Sequence, residues 1–237
     1  IYANQWANEV WQGSIINKEQ NGAGNDNGYM LRAGKNGILN FNLGNGSWNE
    51  INSPAGSMIT NKWYHVAGTY DGSTMKSFID GKEVASSTKI FSIKNASKIN
   101  LLIGDSESNK GRVFNGIIDE VRIWNVARNQ KQIQLTMNDT LNKNYYSTAD
   151  SGLVGYWRFN ENEGQFTSDL SIFGNNGRLG SSADIDDNDP SWIESGSLVS
   201  VENIKDEIPN DYQLFQNYPN PFNNETVIKL ALPKVSK

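Results

Sequence analysis

The feature that most constrains the fold is a meander of short β-type runs cut by Asp-Gly turns. Residues 63–70 read Trp-Tyr-His-Val-Ala-Gly-Thr-Tyr, rich in aromatic and β-favouring residues, and end at Asp71-Gly72. Met75 to Ile79 follows, a second turn stands at Asp80-Gly81, and Lys82 to Ala85 continues the line. Strand formers bounded by dipeptides that tolerate positive φ predict consecutive antiparallel hairpins. The same texture recurs along the chain. Leu39-Asn40-Phe41-Asn42-Leu43 alternates with period two, and Ile99 to Gly104 and Val154 to Phe159 are strand-like. Arg178-Leu179 and Pro190 to Ile193 are shorter candidates, and the Gly- and Asn-rich stretch 22–28 is a loop by composition. Phe114 to Trp124 is predicted as one strand. Its alternation sets Ile117, Asp119, Val121 and Ile123 on one face, with Glu120, Arg122 and Trp124 on the other. Arg128 to Met137 is the one helix-like segment, with Ile133 and Met137 four apart. Many short strands beside a single small helix predict an all-β sandwich or jelly roll.

Composition narrows the chemistry. The 237 residues carry 21 basic against 26 acidic side chains, a net charge of −5, without a basic run. Nucleic acid is therefore not an expected partner. No stretch approaches the roughly 20 apolar residues that a membrane helix needs. The chain has no cysteine, which removes disulfides, thiolate metal sites and a cysteine nucleophile. Its single histidine, His65, stands mid-strand in the predicted meander and reads as a hydrogen-bonded sheet residue. A Ser-His-Asp triad would have to run through it.

The organisation changes near the end. Residues 195–210 are polar and aperiodic and read as a linker. Three of the six prolines fall at or after Pro219, so 211–237 is a second module. The predicted division is thus a sandwich over 1–194, a linker over 195–210 and a separate unit over 211–237.

Two resemblances sharpen this reading. The run WYHVAGTYDGS (63–73), then FIDGK (78–82), LLIGD (101–105) and FNGIIDEVRIWNVAR (114–128) resembles the laminin-G-like domains of the concanavalin A-like superfamily. GLVGYWRFNENEG (152–164) and GNNGRL (174–179) look like the strands that close such domains in bacterial surface proteins. The resemblance implies a two-sheet antiparallel jelly roll sandwich with one short surface helix. The chain opens at Ile1-Tyr2-Ala3 in the manner of a strand's end, and the family's usual opening strands are expected ahead of it. The second resemblance covers Tyr212 to Pro233, which looks like the start of the C-terminal sorting domain of type IX secretion cargo. It implies recognition by that secretion machinery and a secreted or outer-surface location in a Bacteroidetes-like bacterium.

A binding role follows for the sandwich, with a carbohydrate or a protein surface as ligand and no catalysis. A structural spacer and a carbohydrate-active enzyme are the alternatives. Asp119 and Glu120 are adjacent and point to opposite faces, which is the wrong placement for a glycosidase pair on one strand face. Glu161 and Glu163 have i,i+2 spacing but run into Gly164, a solvated turn. Trp48, in a predicted loop, and Trp11 are the candidate sugar-stacking platforms. Laminin-G-like relatives hold Ca²⁺ at the sandwich rim, and calcium wants six to eight oxygens. The candidate ligands are Asp105 and Asn109 in one loop, Asp119 on the strand, and Asp184, Asp186 and Asn188 at D-x-D-x-N spacing. The competing reading of these loops is a set of solvated acidic turns.

Overall fold

The computed structural model describes residues 1–107, 109, 111–141, 151–182, 184–187 and 189–193, with the backbone of 213–214 and 230–231. It forms two compact units, Ile1–Ser200 and Val201–Lys237. The predicted linker straddles that boundary. In the second unit, Gln213–Leu214 pairs antiparallel with Leu230–Ala231; the remainder of the sorting-domain resemblance lies outside the described residues.

The first unit is an all-β sandwich. Its larger sheet has five antiparallel strands. These are β2 (Ser14–Gln20), β3 (Asp26–Gly34), β4 (Ile38–Gly46), β5 (Trp48–Asn52) and β9 (Leu102–Ile103), in the order β5-β4-β3-β2-β9. The Asp-Gly meander forms the three-stranded sheet β6-β7-β8: Val66–Tyr70, Thr74–Ile79 and Lys82–Thr88. Its two Asp-Gly turns differ. Asp80 and Gly81 both take positive φ, 48° and 69°, the type I′ geometry whose twist matches a hairpin. At the other turn only Gly72 is positive. There the Asp71 carboxylate accepts from the Ser73 and Thr74 amides at 2.8 Å and holds the loop through its side chain.

Shorter pairs complete the unit. β1 (Tyr2–Ala3) pairs with β10 (Gly116–Ile117), β11 (Val121–Trp124) with β12 (Leu153–Trp157), and β13 (Phe166–Thr167) with β14 (Gly177–Arg178). The helix α1 spans Gln130–Thr136. Asn129 caps it by accepting from the Gln132 amide, while the Gln132 side chain accepts from the Asn129 amide, a reciprocal capping box. Ile133 is its buried residue.

The core lies between the sheets. Leu31, Ala33, Leu39, Phe41, Leu43 and Ile51 of the large sheet meet Met75 and Ile79 of the small one. A Cβ on Gly68 would stand 2.4 Å from the Phe41 ring, so the two sheets approach here as closely as a glycine permits. Asp169 ties the closing strands down. Its carboxylate, almost fully buried, accepts from the amides of Tyr156, Ser171 and Asn175, each at 2.8 Å.

Three strand expectations change. Phe114–Trp124 is not continuous: it breaks at residues 118–120, where Glu120 takes φ 52°. A non-glycine residue in the left-handed region costs conformational energy, and here the buried partners of its carboxylate hold it. The loop expected at 22–28 ends early, because Asp26–Gly28 pair with Gly44–Gly46. Residues 190–193 form no strand.

Candidate functional site

Among the described residues β6 is paired along one edge only, to β7, and β11 along one edge only, to β12. Both strands line a cleft of about 570 Å³. Core side chains Ile15, Leu31, Phe41 and Leu43 contribute to its lining, with the aromatic residues Trp63, Tyr70 and Trp124. His65, Asp119 and Arg122 supply polar groups. A largely apolar concavity with a few convergent polar groups is the common form of a binding site.

Two of those polar groups are unsatisfied. His65 Nδ1 and Arg122 Nε are buried, and neither has a hydrogen-bond partner among the described residues. The expectation of a fully bonded sheet histidine is thereby corrected. The His65 backbone is paired: its amide donates to Asp80 Oδ1 at 2.9 Å and its carbonyl accepts from the Asp80 amide at 2.8 Å. Its ring faces a cleft that offers Nδ1 no partner. Burial lowers the imidazole to about 4, and the nearby charges of Arg122 and the amino terminus add to that shift. His65 is therefore neutral at pH 7.

Arg122 belongs to a buried ion network in the cleft wall. Glu120 accepts from Arg122 Nη2 at 2.9 Å, from Arg158 Nε at 2.8 Å and from the Tyr156 hydroxyl at 2.5 Å. Arg122 Nη1 also donates to the Thr136 carbonyl at 2.7 Å, at the end of α1. Burial, with the hydrogen bond and charge of Glu120, pushes the Tyr156 phenol up to about 12. The predicted sharing of a face by Glu120 and Arg122 holds in this i,i+2 ion pair, although the strand around Glu120 does not.

The residues singled out from the sequence are dispersed. Trp48 is not in a loop. It opens β5 opposite Gly44, which is itself opposite Gly28. Its indole Nε1 donates to Asn21 at 3.0 Å. Trp11 is 44% exposed, and the Arg112 guanidinium lies 4.7 Å from its ring centroid. The Trp11 carbonyl accepts from Arg32, which reaches across to Asn40. Asn40 and Asn42 both donate to Glu50 on the same face.

Asp105 caps its own loop by accepting from the Ser106 amide at 2.7 Å. Asn109 donates to Glu19 at 2.8 Å, as do Ser106 at 2.6 Å and Arg112 at 3.1 Å. Burial alone would raise the Glu19 carboxyl, but these hydrogen bonds and the Arg112 charge hold it below the usual range. The positive charge that organises this loop is thus a guanidinium. Asp119 lines the cleft. Asp184 is exposed and bonded to Ser182, and the Asp186 amide donates to Asp189. Asn188 lies outside the described residues. Among the described residues no three His, Asp or Glu side chains converge as a metal site. Glu161 accepts from Thr167 and the Ser168 amide, which makes it a loop anchor.

Comparison with known proteins decides the family. Residues 3–134, more than half of the chain, match the model of the concanavalin A-like lectin/glucanases superfamily in its laminin-G form. The chain belongs to this superfamily. Pappalysin-1 of mouse and of human are 37% and 35% identical to it over 81 residues, 32% of this chain and 5% of theirs. The chain thus corresponds to a small part of these relatives. A crystal structure of a Bacteroides ovatus protein, named for carbohydrate binding, aligns with a TM-score of 0.58 at 23% identity. The alignment covers 81% of this chain and 53% of that one, and it shows a shared fold.

Cleft residues such as His65 and Arg122 escaped sequence reasoning because their signal is an absence. An unpaired strand edge and an unbonded nitrogen leave no trace in composition or periodicity.

Proposed function

We propose that this chain is a non-catalytic binding module of a secreted or cell-surface protein, with a carbohydrate or a protein surface as ligand. The cleft carries the reading: it joins apolar and aromatic lining to polar groups that lack hydrogen-bond partners among the described residues. The name of the Bacteroides ovatus neighbour is in keeping with it. The superfamily also includes enzymes, so binding and cleavage need separate assays. A glycan array read beside a polysaccharide depolymerisation assay tests the proposal. Saturable binding without new reducing ends or unsaturated products supports it. Turnover on any polysaccharide replaces it with an enzyme.

Calcium and export belong to the same proposal. A cation at the 105–109 loop would compete with Arg112 for Glu19. Heat on titrating calcium into chelator-treated protein, reduced in Asp105→Ala, is the expected signature; no heat at millimolar calcium removes the metal from the account. For export, residues 195–237 fused to a reporter are expected to carry it out of a type IX-competent cell. Retention in the periplasm would remove the secretion partner.

A further inference from the structure

A second concavity, of about 290 Å³, shares no lining residue with the cleft among the described residues. It is built mainly by the loop between β1 and β2 and by residues 111–115 ahead of β10. Main-chain bonds fix the loop along its length. The Asn4 amide donates to the Asn115 carbonyl at 3.0 Å, the Lys35 amide to the Glu9 carbonyl at 3.3 Å and the Ala33 amide to the Gly13 carbonyl at 3.0 Å. Two glycines permit this closeness. A Cβ on Gly34 would stand 2.2 Å from the Glu9 oxygen, and one on Gly13, at φ 76°, would stand 2.1 Å from the Ala33 oxygen. A wall held in this way is organised before a ligand arrives, which lowers the ordering cost of binding.

The lining of this pocket selects by chemistry. Gln5, Asn8, Gln12 and Asn115 contribute four carboxamides, and among the described residues no ionisable side chain joins them. Gln12 Oε1 accepts from the Glu9 amide at 3.3 Å, while Gln5, Asn8 and Asn115 are exposed. Arg112 lies between two lining residues, Gly111 and Val113, but its guanidinium turns to Glu19 at 3.1 Å and to the Trp11 ring at 4.7 Å. A carboxamide both donates and accepts, as a hydroxyl does, and the match needs no charge. An ion entering here would lose water without meeting a counter-charge. Trp6, half-buried against the core, adds an apolar surface for the C–H face of a sugar ring. The volume is at the small end of ligand sites and suits one ring rather than an extended polymer. Resting on the reading of the chain as a binding module, we propose that this pocket holds one uncharged sugar unit of a glycan. The module therefore takes neutral glycans in preference to uronate or sulfated ones.

The test presents the full chain to an array of neutral, uronate and sulfated oligosaccharides, and the strongest neutral one is titrated by calorimetry. The variant Gln5→Ala/Asn8→Ala/Asn115→Ala removes three exposed carboxamides, so its Tm is expected to stay within about 2 °C of the parent. Its affinity for that oligosaccharide is expected to fall about tenfold or more, through the lost hydrogen bonds. Unchanged affinity in the triple variant overturns the proposal, as does an array on which no neutral glycan binds. If a glycan binds and loses affinity in Trp124→Ala but not in the triple variant, the pocket is wrong and the binding module stands. If glycans and protein ligands all fail, the module reading falls with it.

Discussion

His65 and Glu19 show how two buried titratable side chains make stability depend on pH from opposite charge states. For His65, burial depresses the folded pKa to about 4 from 6.5. Between those values the unfolded chain binds more protons, so stability falls as pH drops from about 6.5 toward 4 and levels off below. Partial exposure to the cleft caps the effect at about 3 kcal/mol. His65→Gln is expected to flatten the urea midpoint against pH over that window, and an unaltered slope would count against a buried neutral imidazole. Glu19 is depressed as an acid. Its contribution is present above the ordinary carboxyl range and is lost as pH falls through its lower folded value. Glu19→Gln leaves Arg112 without its anion, and we expect a loss of about 3 kcal/mol at pH 7. Protease cleavage within 104–112 should rise in parallel, since that loop is held through the same carboxylate.

At the scale of elements, the hairpins were the most legible part. Asp80-Gly81 carries its turn type in its own residues, so β7–β8 needed no distant partner to be read. α1 came out nearly as expected, because capping and the Ile133 anchor are local features. Phe114–Trp124 was misread for the opposite reason. Its alternation is sound, but Glu120 is pulled into the left-handed region by Arg158 and Tyr156, 38 and 36 positions away. Trp48 was assigned to a loop from its Gly-Ser surroundings, whereas pairing with β4 makes it a strand residue. Close sheet approach likewise depends on a distant contact. Gly68→Val forces a side chain into the Phe41 ring, with an expected cost of about 1–3 kcal/mol by thermal unfolding. Phe41→Leu in the same chain should recover part of that loss; strictly additive effects would disprove the contact.

On the scale of the molecule, residues 1–200 form a unit with its own core. A chain ending at Ser200 is expected to keep its far-UV circular dichroism and a Tm within about 3 °C of the full chain. A large drop would show that the last 37 residues contribute to the sandwich. Family membership was also a whole-molecule property. No single run in the sequence carried it, but the ordered set of runs from Trp63 to Arg128 did.

Read alone, the meander of strand formers and Asp-Gly turns determined the all-β class and the hairpins, and the Ile133–Met137 spacing the small helix, because backbone preference and side-chain periodicity are local. The absence of cysteine and the lone histidine likewise excluded whole classes of chemistry from composition. Only the tertiary structure decided where the cleft lies and that, among the described residues, β6 and β11 each keep an unpaired edge and His65 and Arg122 each hold a buried nitrogen without a hydrogen-bond partner. Those properties depend on which segments fail to meet in space, and hydrogen bonds that are not made leave no periodicity to read.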